Sequence, residues 1–135
     1  MRIMREFLFR GKRTDNGEWI KGGIYVQKAD DVKDEAAYII GGSLNNVGCA
    51  YPVDPETVGQ YTGMTDKNGK KIFEGDIVLY SREEELGQIE YHESEAMFVV
   101  VFDTWQTDFD HIWACDVEII DNIHDNPELL KGGAE

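Results

Sequence analysis

The sequence predicts a mainly β chain, built as a small barrel or as several packed sheets. Three observations carry this. Short apolar segments of strand length recur, with turn residues between them at roughly eight- to twelve-residue spacing. Almost no stretch shows helical periodicity. The composition is globular: 41% hydrophobic, 11% aromatic, only 3 prolines. A chain of 135 residues is the size of one ordinary domain, and it can bury about two-thirds of its unfolded surface without disulfides or metal.

Residues 3–9 alternate and predict a first strand. Thr14-Asp15-Asn16-Gly17 follows as a turn, with Gly17 suited to positive φ. Glu18 to Gln27 resumes as a strand, giving a β-hairpin in which Gly22-Gly23 suggests a bulge or sharp bend. Residues 28–36 are charged and predict a loop or a single helical turn. Tyr38 to Ile40 is a short strand, and Ser43 to Pro55 is loop-rich.

Thr57 to Thr62 is extended, and Asp66 to Lys70 is a strong turn signal. A second tight turn at Glu74-Gly75-Asp76 leads into a strand ending at Ser81. Arg82 to Leu86 is a solvated hairpin loop, followed by strands over 87–91 and 96–102. Residues 96–102, AMFVVVF, lack alternation and predict a central strand covered on both faces. Residues 103–111 are a loop, and Ile112 to Ile120 the last strand, with a bend allowed. Asn126-Pro127-Glu128 starts a short C-terminal helix, because asparagine caps and proline suits the first helical position. Residues 131–135 are expected to be a disordered tail.

Thirteen basic against 27 acidic side chains give a net charge of −14. That disfavours direct nucleic-acid binding and docking on anionic membranes. It permits a basic protein partner or imitation of a nucleic acid's charge. Arg5, Glu6 and Arg10 interrupt any leader-like apolar stretch, and the longest apolar run, Ala96 to Phe102, is far short of the about 20 residues of a membrane helix. A cytoplasmic chain with Cys49 and Cys115 as buried, reduced thiols is expected.

From Val58 onward the text reads VGQYTGMTDKNGKKIFEGDIVLY, then GQIEY, then VEIIDNIHDNPELL. Tyr61-Thr62-Gly63, Asp66-Lys67-Asn68-Gly69, Glu74-Gly75-Asp76-Ile77-Val78 and Asn122-Ile123 with Asn126-Pro127-Glu128-Leu129 resemble the YopX family of phage and prophage proteins. Phe9 to Val26 is similar to that family's N-terminal hairpin. One departure is Asp121, where the pattern has glycine. The resemblance implies an SH3-like small β-barrel in the C-terminal half and an oligomer, but it supplies no activity. Three regions follow: 1–56 as a hairpin region and loop-rich connection, 57–130 as the barrel, 131–135 as the tail. Gly63, Asn68, Gly69, Gly75 and Asp76 are read as structural turn residues.

The candidate chemistry is thin. Asp103, Asp108, Asp110 and Asp116 offer oxygen ligands for a hard cation, but their spacing matches no calcium loop, and a solvated acidic loop is the simpler account. His111 and Cys115 are too few for zinc. His92 and His124 lie at surface or edge positions, where a histidine can titrate near neutral pH. No nucleophile–base motif is visible, so no catalytic, cofactor or metal residue is assigned and no enzyme is expected. Glu83-Glu84-Glu85 with Glu90, Glu93 and Glu95 make an acidic hairpin, whereas five of the 13 basic residues fall in the first 13 positions. Tyr51, Trp105, Phe109 and Trp113 lie outside the obvious core strands and are candidate interface residues. The expected function is a non-catalytic, protein-binding, homo-oligomeric module. The alternative is an acidic nucleic-acid mimic inhibiting a host DNA-handling enzyme, and the third is an enzyme with an unrecognised site.

Overall fold

The computed structural model describes residues 6–28, 35–41 and 49–130. Eleven strands are present among them: β1 (Phe9–Lys12), β2 (Trp19–Lys28), β3 (Glu35–Gly41), β4 (Cys49–Val53), β5 (Gly59–Thr65), β6 (Lys71–Phe73), β7 (Asp76–Tyr80), β8 (Glu85–His92), β9 (Met97–Val101), β10 (Gln106–Asp108) and β11 (Val117–Asn122). They form two antiparallel sheets, ordered β4-β3-β2-β1-β5-β6 and β10-β9-β8-β7-β11. The second sheet ends at β10 and β11 and is not closed among the described residues, so the expected barrel closure is not seen. The chain forms two compact units, Met1–Tyr61 and Thr62–Glu135, with the division falling within β5.

In the first unit, Arg13 to Glu18 closes the β1–β2 hairpin. Gly17 sits at φ 73°, and its N–H donates to the Arg13 carbonyl at 2.9 Å. The first strand starts at Phe9, later than the alternation predicted; residues 3–5 lie outside the described residues. Phe7 is exposed, so the alternation there did not mark a buried face. Gly22-Gly23 is not a bulge. Residues up to Gly22 pair with β1 and those from Gly23 with β3, so the glycines mark a change of partner. A Cβ on Gly22 would lie 2.1 Å from the Ile40 carbonyl oxygen, so only glycine allows β3 this close.

Parts of the expected charged and loop-rich sequence are strand. β3 begins at Glu35, and β4 occupies Cys49–Val53 despite Pro52. Pro52 pairs with Tyr38, and its carbonyl accepts from Thr14 N–H at 3.1 Å. Residues 29–34 and 42–48 lie outside the described residues. Ala37, Ile39 and Val53 form the core of this unit, with Phe9, Ile20, Ile24 and Val58 against it. A 3-10 turn at Pro55–Thr57 is capped by Asp54, which accepts from Glu56 N–H at 3.1 Å. Thr57 Oγ1 accepts from Lys12 N–H at 2.9 Å and finishes β1.

In the second unit β7, β8, β9 and β10 form a meander, and β11 returns beside β7. The core is Ile72, Val78, Ile89, Val100, Phe102, Phe109, Ala114 and Val117. β9 buries Val99 and Val100 on opposite faces and is paired by β8 on one side and β10 on the other, an interior strand as its missing alternation predicts. The expected strand from Ile112 is instead a one-turn helix, α1 (His111–Ala114), followed by β11. Asp110 starts that helix: its carboxylate accepts from Trp113 N–H at 3.2 Å and its carbonyl from Ala114 N–H at 3.0 Å. The bend in the last strand is a bulge at Ile120, between the pairs Ile119↔Val78 and Asp121↔Ile77. The C-terminal helix is only a 3-10 turn, Pro127–Leu130. Four residues give too few hydrogen bonds to offset helix nucleation. The tail, 131–135, lies outside the described residues.

Candidate protein-binding surface

The predicted turn residues make hydrogen bonds that hold backbone in place. Gly69 (φ 83°) closes the β5–β6 hairpin, where Gly69 N–H donates to the Asp66 carbonyl at 3.0 Å. Asn68 is exposed, and its N–H donates to Asp66 Oδ1 at 2.8 Å. Gly75 (φ 94°) donates to the Ile89 carbonyl at 2.8 Å and accepts from Ile123 N–H at 2.9 Å. Asp76 is 2% exposed, and its Oδ2 accepts from Phe73 N–H at 2.8 Å. Gly63 is not at a turn: it sits inside β5 at φ 89°, where Thr62 Oγ1 accepts from Met64 N–H at 3.2 Å and donates to the Ile72 carbonyl at 2.9 Å.

Asp66, beside the assigned turn residues, holds several backbone groups at once. Its Oδ1 accepts from Asn68 and Lys70 N–H at 2.8 and 2.9 Å. Its Oδ2 accepts from Ile119 N–H at 3.0 Å, and Lys67 N–H donates to the Val117 carbonyl at 3.0 Å. One buried carboxylate thus finishes a hairpin and covers the outer edge of β11. Burial pushes the Asp66 carboxyl up, but the three N–H donors outweigh it and hold the group below the usual carboxylate range.

Of the four aromatic interface candidates, two come together. Val78 pairs with Gly87 and Tyr80 with Glu85, so all four share one sheet face. Val78 is fully buried, and Tyr80 and Glu85, half-buried, stand at the open end of that face. Gly87 has no side chain, which lets the Phe102 ring lie across β8; a Cβ there would come within 3.0 Å of Phe102 Cε1. Trp105 stacks on Phe102 at 4.5 Å and 18°, and meets Trp113 at 5.7 Å and 55°. Trp113 meets Tyr80 at 4.8 Å and 56°. Glu85 Oε2 accepts the Trp105 indole N–H at 3.1 Å and fixes the ring. Phe109, in contrast, is in the core at 5% exposure and has no surface to offer a partner. Tyr51 lies in the first unit with the Arg13 guanidinium 4.6 Å above its ring.

The first unit has an apolar surface that the candidate list missed. Tyr25 pairs with Tyr38, Gly23 with Ile40, Ile40 with Ala50 and Tyr38 with Pro52, so these residues share the face opposite the Ile39 core. Tyr25 is 54% and Ile40 46% exposed, the two tyrosine rings are 6.3 Å apart, and Gly23 leaves open space beside Ile40. The sequence signal was alternation in residues 36–40, obscured because both faces carry apolar side chains.

Among the described residues no group of three His, Cys, Asp or Glu side chains is placed to hold a metal. The His111 side chain lies outside the described residues. His92 Nε2 is 3.1 Å from Glu90 Oε1, and Nδ1 is 3.9 Å from Glu95 Oε2. Cys49 is half-buried and Cys115 exposed, not the buried pair expected, and both are free thiols. No described helix is long and apolar enough to cross a membrane. Charge is divided unequally. Residues 1–61 hold eight basic and nine acidic side chains, a net −1; residues 62–135 hold five and 18, a net −13.

Comparison with known proteins agrees with the motifs. The family model described as "YopX protein" matches residues 8–131. The crystal structure of protein EF1440 from Enterococcus faecalis is similar, with a TM-score of 0.61 and 26% identity over 94% of this chain and 99% of that one. No curated protein matches.

Proposed function

The chain belongs to the YopX family, and we propose that it is a non-catalytic protein-binding module of phage or prophage origin that works as a homo-oligomer in the bacterial cytoplasm. The observation that carries this is the exposed Tyr25–Tyr38–Ile40 surface. A contiguous apolar face on the outside of a sheet is costly to leave in water and is a usual mark of an interface. The occupant is a second copy, since a small β unit with such a face gains most from its own self-complementary surface. The SH3-like reading of the second unit is supported by its strand order, β10-β9-β8-β7-β11, with α1 ahead of the last strand, and it adds nothing about activity, because a fold does not imply a function.

Light scattering behind gel filtration tests it. The expected mass is a multiple of 15.4 kDa, and Tyr25→Glu with Ile40→Glu shifts the parent toward monomer. A parent mass that stays at 15.4 kDa when the protein is raised to about 100 μM overturns self-association. A second reading, the nucleic-acid mimic, is favoured by the net −13 of residues 62–135. Its signature is salt-sensitive competition with duplex DNA for a basic DNA-handling enzyme.

A further inference from the structure

The surface formed by Tyr80, Trp105 and Trp113 belongs to the second unit, and the self-association residues to the first; its chemistry is its own. Trp105 is 39% exposed, although its neighbour Phe102 is buried at 4%. Exposed indole held in one orientation by Glu85 is not needed to close the core, because Phe102 already fills it over Gly87. One carboxylate, Glu85, touches the rings through the Trp105 indole. Others are near in the chain: exposed Glu83 and Glu84 precede Glu85, exposed Asp103 lies two residues before Trp105, and Asp110 and Asp116 lie three residues either side of Trp113. The one base in the β7–β8 turn, Arg82, is 3.3 Å from Asp116.

From this geometry we infer that the Tyr80–Trp105–Trp113 surface docks an arginine-bearing segment of a partner protein. Charge complementarity selects the occupant: the surface excludes nucleic acid and acidic peptides and attracts cations. Aromatic faces then separate arginine from lysine. A guanidinium lies flat on an indole and offers a planar fork to a carboxylate, whereas an ammonium is a compact, strongly hydrated charge. The chain uses the same contact internally. The Arg13 guanidinium stands 4.6 Å over the Tyr51 ring while its Nε and Nη2 bond Asp15 at 2.9 and 2.6 Å. In the second unit the ring is Trp105, the carboxylate at the ring is Glu85, with Asp103 two residues away in the chain, and the guanidinium comes from outside. The inference rests on the protein-binding reading but not on self-association, and the two fail separately because different surfaces are measured.

The test is a calorimetric titration of the full chain with two capped peptides, alike except that one carries three arginines and the other three lysines. The arginine peptide is expected to bind about fivefold tighter. Trp105→Ala is expected to remove that preference, with a melting curve checking that the variant folds. If it does not fold, the exposed Asp103→Lys variant takes its place and is expected to weaken the arginine peptide about fivefold. No measurable binding by the arginine peptide, equal affinities for the two peptides, or a preference unchanged in the variant overturns the inference. Light scattering on the same samples reads self-association independently.

Discussion

Replacing Asp66 removes a carboxylate that is 4% exposed and accepts three backbone N–H groups, from Asn68, Lys70 and Ile119. Asn68 and Lys70 lie in an exposed turn, where water can replace the lost acceptor. Ile119 N–H is partly buried at the edge of β11, and leaving such a donor unmet costs about 1–3 kcal/mol. Adding the two charge-assisted turn bonds, Asp66→Ala should lose about 3 kcal/mol. With a urea slope of about 2 kcal/mol/M, that lowers the midpoint by about 1.5 M. Asp66→Asn keeps one acceptor oxygen, but its amide cannot accept from Ile119 while its oxygen serves the turn, so its loss is smaller, at about 1–2 kcal/mol. The pH dependence gives a second test. The folded carboxyl lies below its ordinary value, so its contribution is fully present above about pH 4 and is lost as pH falls through the depressed folded value. The gap between parent and Asp66→Asn should therefore narrow on acidification below about pH 4. Urea melts followed by tryptophan fluorescence at several pH values measure this. Variants within about 0.5 kcal/mol of the parent, or a gap unchanged in acid, would refute the reasoning.

Gly69→Val and Gly75→Val should each cost more than about 1 kcal/mol, because φ of 83° and 94° strains a β-branched residue; thermal melts matching the parent would contradict this. Gly87→Ala should cost about 1–3 kcal/mol by overpacking, since its Cβ would meet Val100 Cγ2 at 2.9 Å and Phe102 Cε1 at 3.0 Å. A shift in near-ultraviolet aromatic circular dichroism should accompany that loss. Binding to a random duplex by fluorescence anisotropy should be weak, and a dissociation constant below about 1 μM at about 150 mM salt would go against it.

The sequence by itself determined the mainly β class, the family and three of the tight turns, although Gly63, also read as a turn residue, lies inside β5. Gly17, Gly69 and Gly75 take positive φ where turn chemistry placed them, because that preference is settled within four or five residues of chain. Local signals were also present but unread at α1, where Asp110 caps one turn. Tertiary structure alone decided the rest. β4 forms in a segment rich in loop residues because β3 supplies its ladder and Thr14 bonds the Pro52 carbonyl. Asp66 becomes a structural centre only because β11, 53 residues later, brings Ile119 N–H to it. Phe109 and Trp105, four apart in a polar stretch, part ways: Phe109 N–H bonds the Phe98 carbonyl and its ring enters the core, while Trp105 stacks on Phe102 and remains partly exposed. Composition and spacing could not separate those two rings. Each one's fate depends on strand register set by distant partners, which no short window of sequence contains.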